Sequence, residues 1–237
     1  MDSALTRWVS AKARVIRGIT RRRLCIGPTT ELAIVRRFHQ IYHDTGHRTW
    51  LNTYWLGVPT LKCPLDLWVY QEIIYGLRPD AIIECGTASG GSALYLASIL
   101  DIVGNGEVIT VDLLDAAGKP QHLRVKYLVG SSTSEDTVTS VARLVDGKRT
   151  VMVILDSDHH KDHVLNELRI YSRFVTKGSY LIVEDTVIGH PVMQGFGEGP
   201  MEAVAQFLGE NGDFSVDRDR EKFYLTFNPR GYLVRKK

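Results

Sequence analysis

Acidic side chains gather in two short stretches of this 237-residue chain. Leu155-Asp156-Ser157-Asp158-His159-His160-Lys161 follows one apolar run, and Val183-Glu184-Asp185-Thr186 follows another. Carboxylates concentrated in one place repel each other unless a cation joins them, and oxygen ligands of this kind suit Mg²⁺, with water and substrate completing its octahedron. Asp158, Glu184 and Asp185 are the candidate metal ligands, with Asp156 supporting the site from the cofactor side. A single acid at each tip would be explained by the preference of Asp and Glu for helix N-termini, whereas a pair at each tip points to a metal. His159, His160, Lys161 and His163 share the first tip. Histidine titrates near neutrality and is the default proton acceptor, while lysine needs its pKa lowered, so His159 is the first candidate base and Lys161 the second. His39, His43 and His47 recur at helical spacing beside Asp44, but Gly46 interrupts them and no partner motif follows, so they read as surface histidines.

Upstream lies a glycine-rich turn, Glu84-Cys85-Gly86-Thr87-Ala88-Ser89-Gly90-Gly91-Ser92. Such a turn lets the backbone bend sharply and approach a ligand closely. Its spacing departs from GxGxxG, and Glu84 would repel a pyrophosphate; a carboxylate there suits the cationic amino-acid end of S-adenosylmethionine. Asp112, ending the next apolar run, is placed to accept hydrogen bonds from ribose hydroxyls. Gly86, Thr87, Gly90, Gly91, Ser92, Ser131, Ser132 and Lys62 complete the candidate donor pocket with Glu84, Asp112 and Asp156.

These residues need a scaffold that brings their tips to one edge. Short apolar runs at 81–85, 107–111, 126–129, 151–155 and 180–183 alternate with helical patterns at 92–100, 134–144 and 162–174. Strands alternating with helices predict an α/β fold, a doubly wound and mostly parallel sheet whose carboxyl ends share one crevice. The rhythm then breaks: a glycine-rich loop at 188–200, a helix at 201–208, and strands at 214–216, 224–227 and 232–234, the last two joined at Asn228-Pro229-Arg230-Gly231, which predicts an antiparallel C-terminal hairpin. Before the alternation come a basic amphipathic stretch from Ala4 to Leu24, a helix at 30–43 and an aromatic segment holding Trp50, Tyr54 and Trp55, followed by a helix at 65–75. The expected division is an N-terminal basic helical arm, 1–48, and a main domain, 49–237, in which 49–78 forms a cover.

The totals exclude several classes. A net charge of +2 argues against a nucleic-acid binder, although Arg7, Lys12, Arg14, Arg17, Arg21, Arg22 and Arg23 crowd the beginning. Cys25, Cys63 and Cys85 form neither a disulfide framework nor a zinc knuckle, and a reducing cytoplasm is expected. No apolar run is long enough for a membrane span, and no secretory signal core is seen. Apolar residues on the arm point to a homo-oligomer.

Taken together, several stretches resemble the cephalosporin hydroxylase and rhamnosyl O-methyltransferase family: Lys62-Cys63-Pro64-Leu65-Asp66 with Tyr70-Gln71-Glu72, Ile83-Glu84-Cys85-Gly86-Thr87 with Gly90-Gly91-Ser92, Leu155-Asp156-Ser157-Asp158-His159, Val183-Glu184-Asp185, and Gly195-Phe196-Gly197 with Gly199-Pro200. The resemblance implies a class I methyltransferase fold, S-adenosylmethionine as methyl donor, and Mg²⁺ held by Asp158, Glu184 and Asp185. It implies methylation of a small-molecule hydroxyl, on a deoxysugar by the likeness around Gly195, with 7-methoxylation of a cephalosporin-type nucleus as the alternative. On this reading Asp158→Ala abolishes turnover and spares donor binding. An NAD-linked oxidoreductase and a non-catalytic nucleotide-binding module are the rivals of other classes; the first should show GxGxxG and needs no acids at both later tips.

Overall fold

The computed structural model of the chain describes residues 28–237. The basic stretch Ala4–Leu24, Cys25 and most of the expected arm lie outside the described residues. Helix α1 (Pro28–Asp44) leads through two short 3₁₀ turns, Gly46–Arg48 and Trp50–Asn52, into a small hairpin of β1 (Tyr54–Trp55) and β2 (Val58–Pro59). Then follow α2 (Pro64–Leu77), β3 (Ala81–Cys85), α3 (Gly91–Val103), β4 (Glu107–Asp112), β5 (Val125–Val129), α4 (Glu135–Val145), β6 (Val151–Leu155), α5 (Lys161–Tyr171), β7 (Tyr180–Val183), α6 (Pro200–Glu210), β8 (Phe214–Val216) and β9 (Tyr232–Arg235).

The main sheet has the order β5-β4-β3-β6-β7-β9-β8, parallel from β5 to β7 and antiparallel at β9 and β8. Its central strands, Ala81–Cys85, Val151–Leu155 and Tyr180–Val183, are buried along their whole length, as parallel strands covered on both faces must be. Alternation assigns the faces. Ile83 and Cys85 join Val153, Val141, Leu168 and Phe207 in one core layer under α4, α5 and α6. Ile82 joins Met152, Ile154, Ile74, Leu96 and Leu100 in the other, under α2 and α3. The chain runs outward from β3 to β5 in one direction and from β6 to β7 in the other, so the edge beyond β3 and β6 is a topological switch point, where such sheets bind ligands.

One expected strand is absent. Residues 224–227 alternate like a strand, yet Tyr224 has φ 66° and the Phe227 amide donates to the Asp66 carboxylate rather than to a neighbouring strand. Leu225 and Phe227 fill a third core cluster with Cys63, Val187, Ile188 and Val192. The alternation there reflects burial on that cluster, not pairing in the sheet. Among the described residues no helix is long and apolar enough to cross a membrane.

Candidate active site

At the switch point the turn after β3 is pressed against the tip of β6. Gly86 has φ +99°, and a Cβ on it would stand 1.8 Å from the Asp156 carbonyl oxygen; a Cβ on Gly91 would stand 2.1 Å from that of Pro59. These glycines are needed for contact between chain segments, beyond any approach to a ligand. Asp112 secures the same turn: its Oδ2 accepts from the amides of Thr87 and Ala88, each at 2.9 Å, and its Oδ1 from Leu114 at 3.0 Å. Partial burial raises the Asp112 pKa, but these amide bonds outweigh it and hold the carboxyl below its ordinary range.

A cleft of about 750 Å³ opens here. The glycine turn, Asp112, Ser131, Ser132, Asp156, Asp158, His159, His163 and Asp185 line it, and Trp50, Leu61, Ile188, Met193 and Phe196 give it apolar walls. Gly86, Thr87, Gly91, Ser92, Asp112, Ser131, Ser132 and Asp156, all expected in a donor pocket, do line the cleft. Lys62, Glu84 and Gly90 are not in its lining. Glu84 is fully buried beneath the turn, where Oε2 accepts from Thr110 at 2.7 Å and Oε1 has no hydrogen-bond partner. Burial pushes its carboxyl up, against the pull of the Lys62 ammonium.

Oxygens of Asp156 and Asp185 and a ring nitrogen of His159 lie within 4.8 Å of one another, a set able to hold a cation. Two carboxylate oxygens on one side of a cleft fit Mg²⁺, which prefers oxygen to imidazole nitrogen. His159 Nε2 is 3.3 Å from Asp185 Oδ2. Burial and the neighbouring Asp156 push the Asp185 carboxyl up to about 6, with His159 opposing.

The geometry gathers a different set from Asp158, Glu184 and Asp185. Asp158 is half exposed, its Oδ1 accepting from the His160 amide at 2.8 Å and lying 2.6 Å from His160 Nδ1, so it is tied to the residue just before α5. The Glu184 carboxylate is buried and turns to Lys62, whose Nζ donates to Glu184 Oε1 at 2.7 Å and to Asp156 Oδ2 at 2.5 Å. Burial disfavours the Lys62 charge, but Asp156 and Glu184 together hold its pKa above the usual lysine value. Burial and Asp156 likewise push Glu184 well up, with Lys62 opposing. Part of the counter-charge that the acid cluster needs is therefore supplied by the chain itself, from the loop before α2.

Lys161 is not in the cleft lining; its Nζ pairs with both Glu198 oxygens, at 3.0 and 2.9 Å, tying the 188–200 loop to α5. His163 faces Ser157 at 3.1 Å and the buried Glu167 at 3.3 Å. Of the upstream histidines, His39 is buried, with Nε2 2.8 Å from the Tyr224 carbonyl, and His43 stacks on Trp50 at the cleft, so neither is the surface residue its spacing suggested. The role of Lys62 as buried counter-ion, and the gathering of Asp156 rather than Asp158, escaped the sequence reading; the one usable signal was a lysine in the otherwise aromatic and apolar segment before Pro64.

Known proteins share this arrangement of elements. Residues 47–236 match the family model described as Rhamnosyl O-methyltransferase/CmcI. The chain is 39% identical over 213 residues to a rhamnosyl O-methyltransferase of Mycobacterium tuberculosis (strain H37Rv), covering 86% of this chain and 85% of that one. It is 37% identical over 215 residues to a rhamnosyl O-methyltransferase of Mycobacterium leprae (strain TN), covering 86% and 91%. In three dimensions it resembles CmcI solved with Mg and SAM, with a TM-score of 0.58 and 22% identity over 79% of this chain and 78% of that one, a likeness of fold. With four-fifths of its length matched by one family model and close relatives of equal extent, the chain belongs to the rhamnosyl O-methyltransferase/CmcI family.

Proposed function

We propose that this chain, an O-methyltransferase dependent on S-adenosylmethionine, methylates a hydroxyl of a rhamnose-like deoxysugar with the help of Mg²⁺. The observation that carries the reading is the meeting of Asp156, His159 and Asp185 in the cleft that also holds the glycine turn and Asp112. The names of the relatives at 39% and 37% identity support a rhamnosyl acceptor.

Gly86 to Ser92, Asp112, Ser131 and Ser132 form the donor side of the cleft. Asp156 and Asp185 would hold the ion, with Glu184 behind them sharing Lys62. When bound, S-adenosylmethionine supplies an electrophilic methyl group and Mg²⁺ supplies positive charge that eases deprotonation of the acceptor. A sugar hydroxyl is a poor nucleophile at neutral pH, so the chain must take its proton and fix its position. His159, which lines the cleft, accepts that proton on the ring nitrogen turned away from Asp185, and the Asp185 carboxylate, 3.3 Å from Nε2, stabilises the imidazolium. Trp50, Leu61, Ile188, Met193 and Phe196 exclude water from the acceptor side.

The test is incubation of the purified protein with S-adenosylmethionine and a panel of rhamnosides, followed by mass spectrometry. Gain of one methyl group that disappears in chelator and returns with Mg²⁺ is expected. Undiminished methylation in chelator refutes the metal role, and methylation of other hydroxyl acceptors only refutes the sugar assignment.

A further inference from the structure

The turn Asn228-Pro229-Arg230-Gly231 reads in the sequence as a simple connection. In the structure it lies against the end of β7, where the Val183 amide donates to the Gly231 carbonyl at 2.9 Å and the Thr186 hydroxyl to that of Pro229 at 2.6 Å. Asn228 is fully buried. Its Oδ1 accepts the Asp185 amide at 3.0 Å, and its Nδ2 donates to the Tyr70 hydroxyl at 2.9 Å.

Both bonds lead to the carboxylates of the cleft. Asp185 has φ 55°, in the left-handed region, which costs a residue with a Cβ something even though aspartate enters it more readily than most, and its amide is bonded from outside its own segment. The amide oxygen of Asn228 accepts that bond. On the other side, a phenol that accepts a hydrogen bond from an amide N–H keeps its own proton to donate. Burial, and after it the neighbouring Glu184 carboxylate, push the Tyr70 phenol up, which puts the two groups side by side. Glu184 in turn binds Lys62, and Lys62 binds Asp156. The anchor is itself rigid: the Asn228 amide donates to Thr226 Oγ1 at 2.9 Å, and Asp66 gathers the Thr226 hydroxyl, the Phe227 amide and the Tyr232 hydroxyl at 2.5, 2.8 and 2.8 Å.

We infer that Asn228 is a positioning residue for the cation site, one side-chain amide setting Asp185 through its backbone and Asp156 through Tyr70, Glu184 and Lys62. The inference rests on the metal reading proposed above. A role confined to stability would leave the ion affinity of the folded protein unchanged; a positioning role would not, because outer-shell partners of metal ligands typically govern about 10- to 100-fold in affinity.

The experiment is calorimetric titration of Mg²⁺ into the full-length protein in the presence of S-adenosylhomocysteine, with wild type, Asn228→Ala, Asn228→Asp and Tyr70→Phe compared. Asn228→Ala should weaken Mg²⁺ binding by about 10-fold or more while S-adenosylhomocysteine affinity stays within about twofold. Asn228→Asp keeps an acceptor for the Asp185 amide but reverses the Tyr70 bond, and should recover part of the loss. Tyr70→Phe cuts only the arm through Glu184 and should fall between wild type and Asn228→Ala. Wild-type Mg²⁺ affinity in a cooperatively melting Asn228→Ala protein overturns the inference; if that variant does not fold, wild-type affinity in both Asn228→Asp and Tyr70→Phe overturns it equally. Wild-type protein that binds no Mg²⁺ at all is a separate result: it sinks the metal reading and takes this inference with it.

Discussion

Replacing Lys62 by methionine tests how the acid cluster is kept stable. The substitution keeps most of the side-chain volume and removes one cation that contacts two carboxylates, Asp156 and Glu184. Lys62 is 4% exposed, Glu184 6% and Asp156 24%. Breaking a buried ion pair from one side costs on the order of 3–5 kcal/mol, because the remaining charge stays out of water. Asp156 still meets solvent, which screens its share, so the lower end, about 3 kcal/mol, is the appropriate figure. In a domain of this size each kcal/mol shifts the midpoint of melting by about 2–4 °C, so the variant should melt about 6–12 °C below wild type in chelator.

The pH dependence has a definite sign. Glu184 is pushed up by burial and by Asp156, and loses the opposing pull when Lys62 is gone. A carboxyl with a raised folded pKa stabilises the fold fully below its unfolded value and loses that contribution as pH rises through the folded value. The melting deficit should therefore grow as pH rises through the raised Glu184 value and narrow at lower pH, where Glu184 takes a proton. Adding Glu184→Gln to Lys62→Met should recover part of the loss at the higher pH. A deficit under about 2 °C, or one that does not change with pH, would refute the counter-ion argument.

Asp156→Asn should abolish Mg²⁺ binding by calorimetry, whereas Asp158→Ala should cost only about 1 kcal/mol, the usual worth of a hydrogen bond, and leave ion affinity within about threefold; the opposite ranking would restore Asp158 as ligand. Asp112→Ala removes the acceptor of the Thr87, Ala88 and Leu114 amides and should weaken S-adenosylhomocysteine binding by at least about 10-fold; unchanged affinity would show that the turn holds its shape unaided. The His163 imidazole, raised by its hydrogen bond to Glu167 against the effect of burial, should titrate above the ordinary histidine range by NMR and fall back in Glu167→Gln. Its contribution to stability is complete below the ordinary histidine value and lost as pH rises through the raised one, so Glu167→Gln should destabilise more near about pH 6 than near about pH 8.

Most of the sheet was legible because its strands are short apolar runs buried on both faces, and their acidic ends could be assigned to one edge from chain direction alone. What stayed hidden depends on contacts between distant residues. Lys62 meets Asp156 from 94 positions away and Glu184 from 122, and no local pattern reports that distance. The strand-like alternation at 224–227 is of the same kind, since its partner is a carboxylate on α2. Asp156 and Asp158 are chemically equivalent on paper; only the turn after β6, which sends one into the cleft cluster and the other to the His160 amide, tells them apart.

That distinction bears on how the site can be both charged and folded. Asp156, Glu184 and Asp185 with no cation would be an unstable group to bury, yet a cluster fully neutralised by the chain would have no call for an ion. Lys62 divides the problem: it spends its charge on Glu184 and one oxygen of Asp156, on the protein side. Asp185, whose carboxyl is pushed up to about 6 and faces the cleft beside His159, is left without a lysine or arginine partner among the described residues. The chain thus supplies part of the counter-charge itself and leaves the Asp185 carboxyl facing the cleft beside His159.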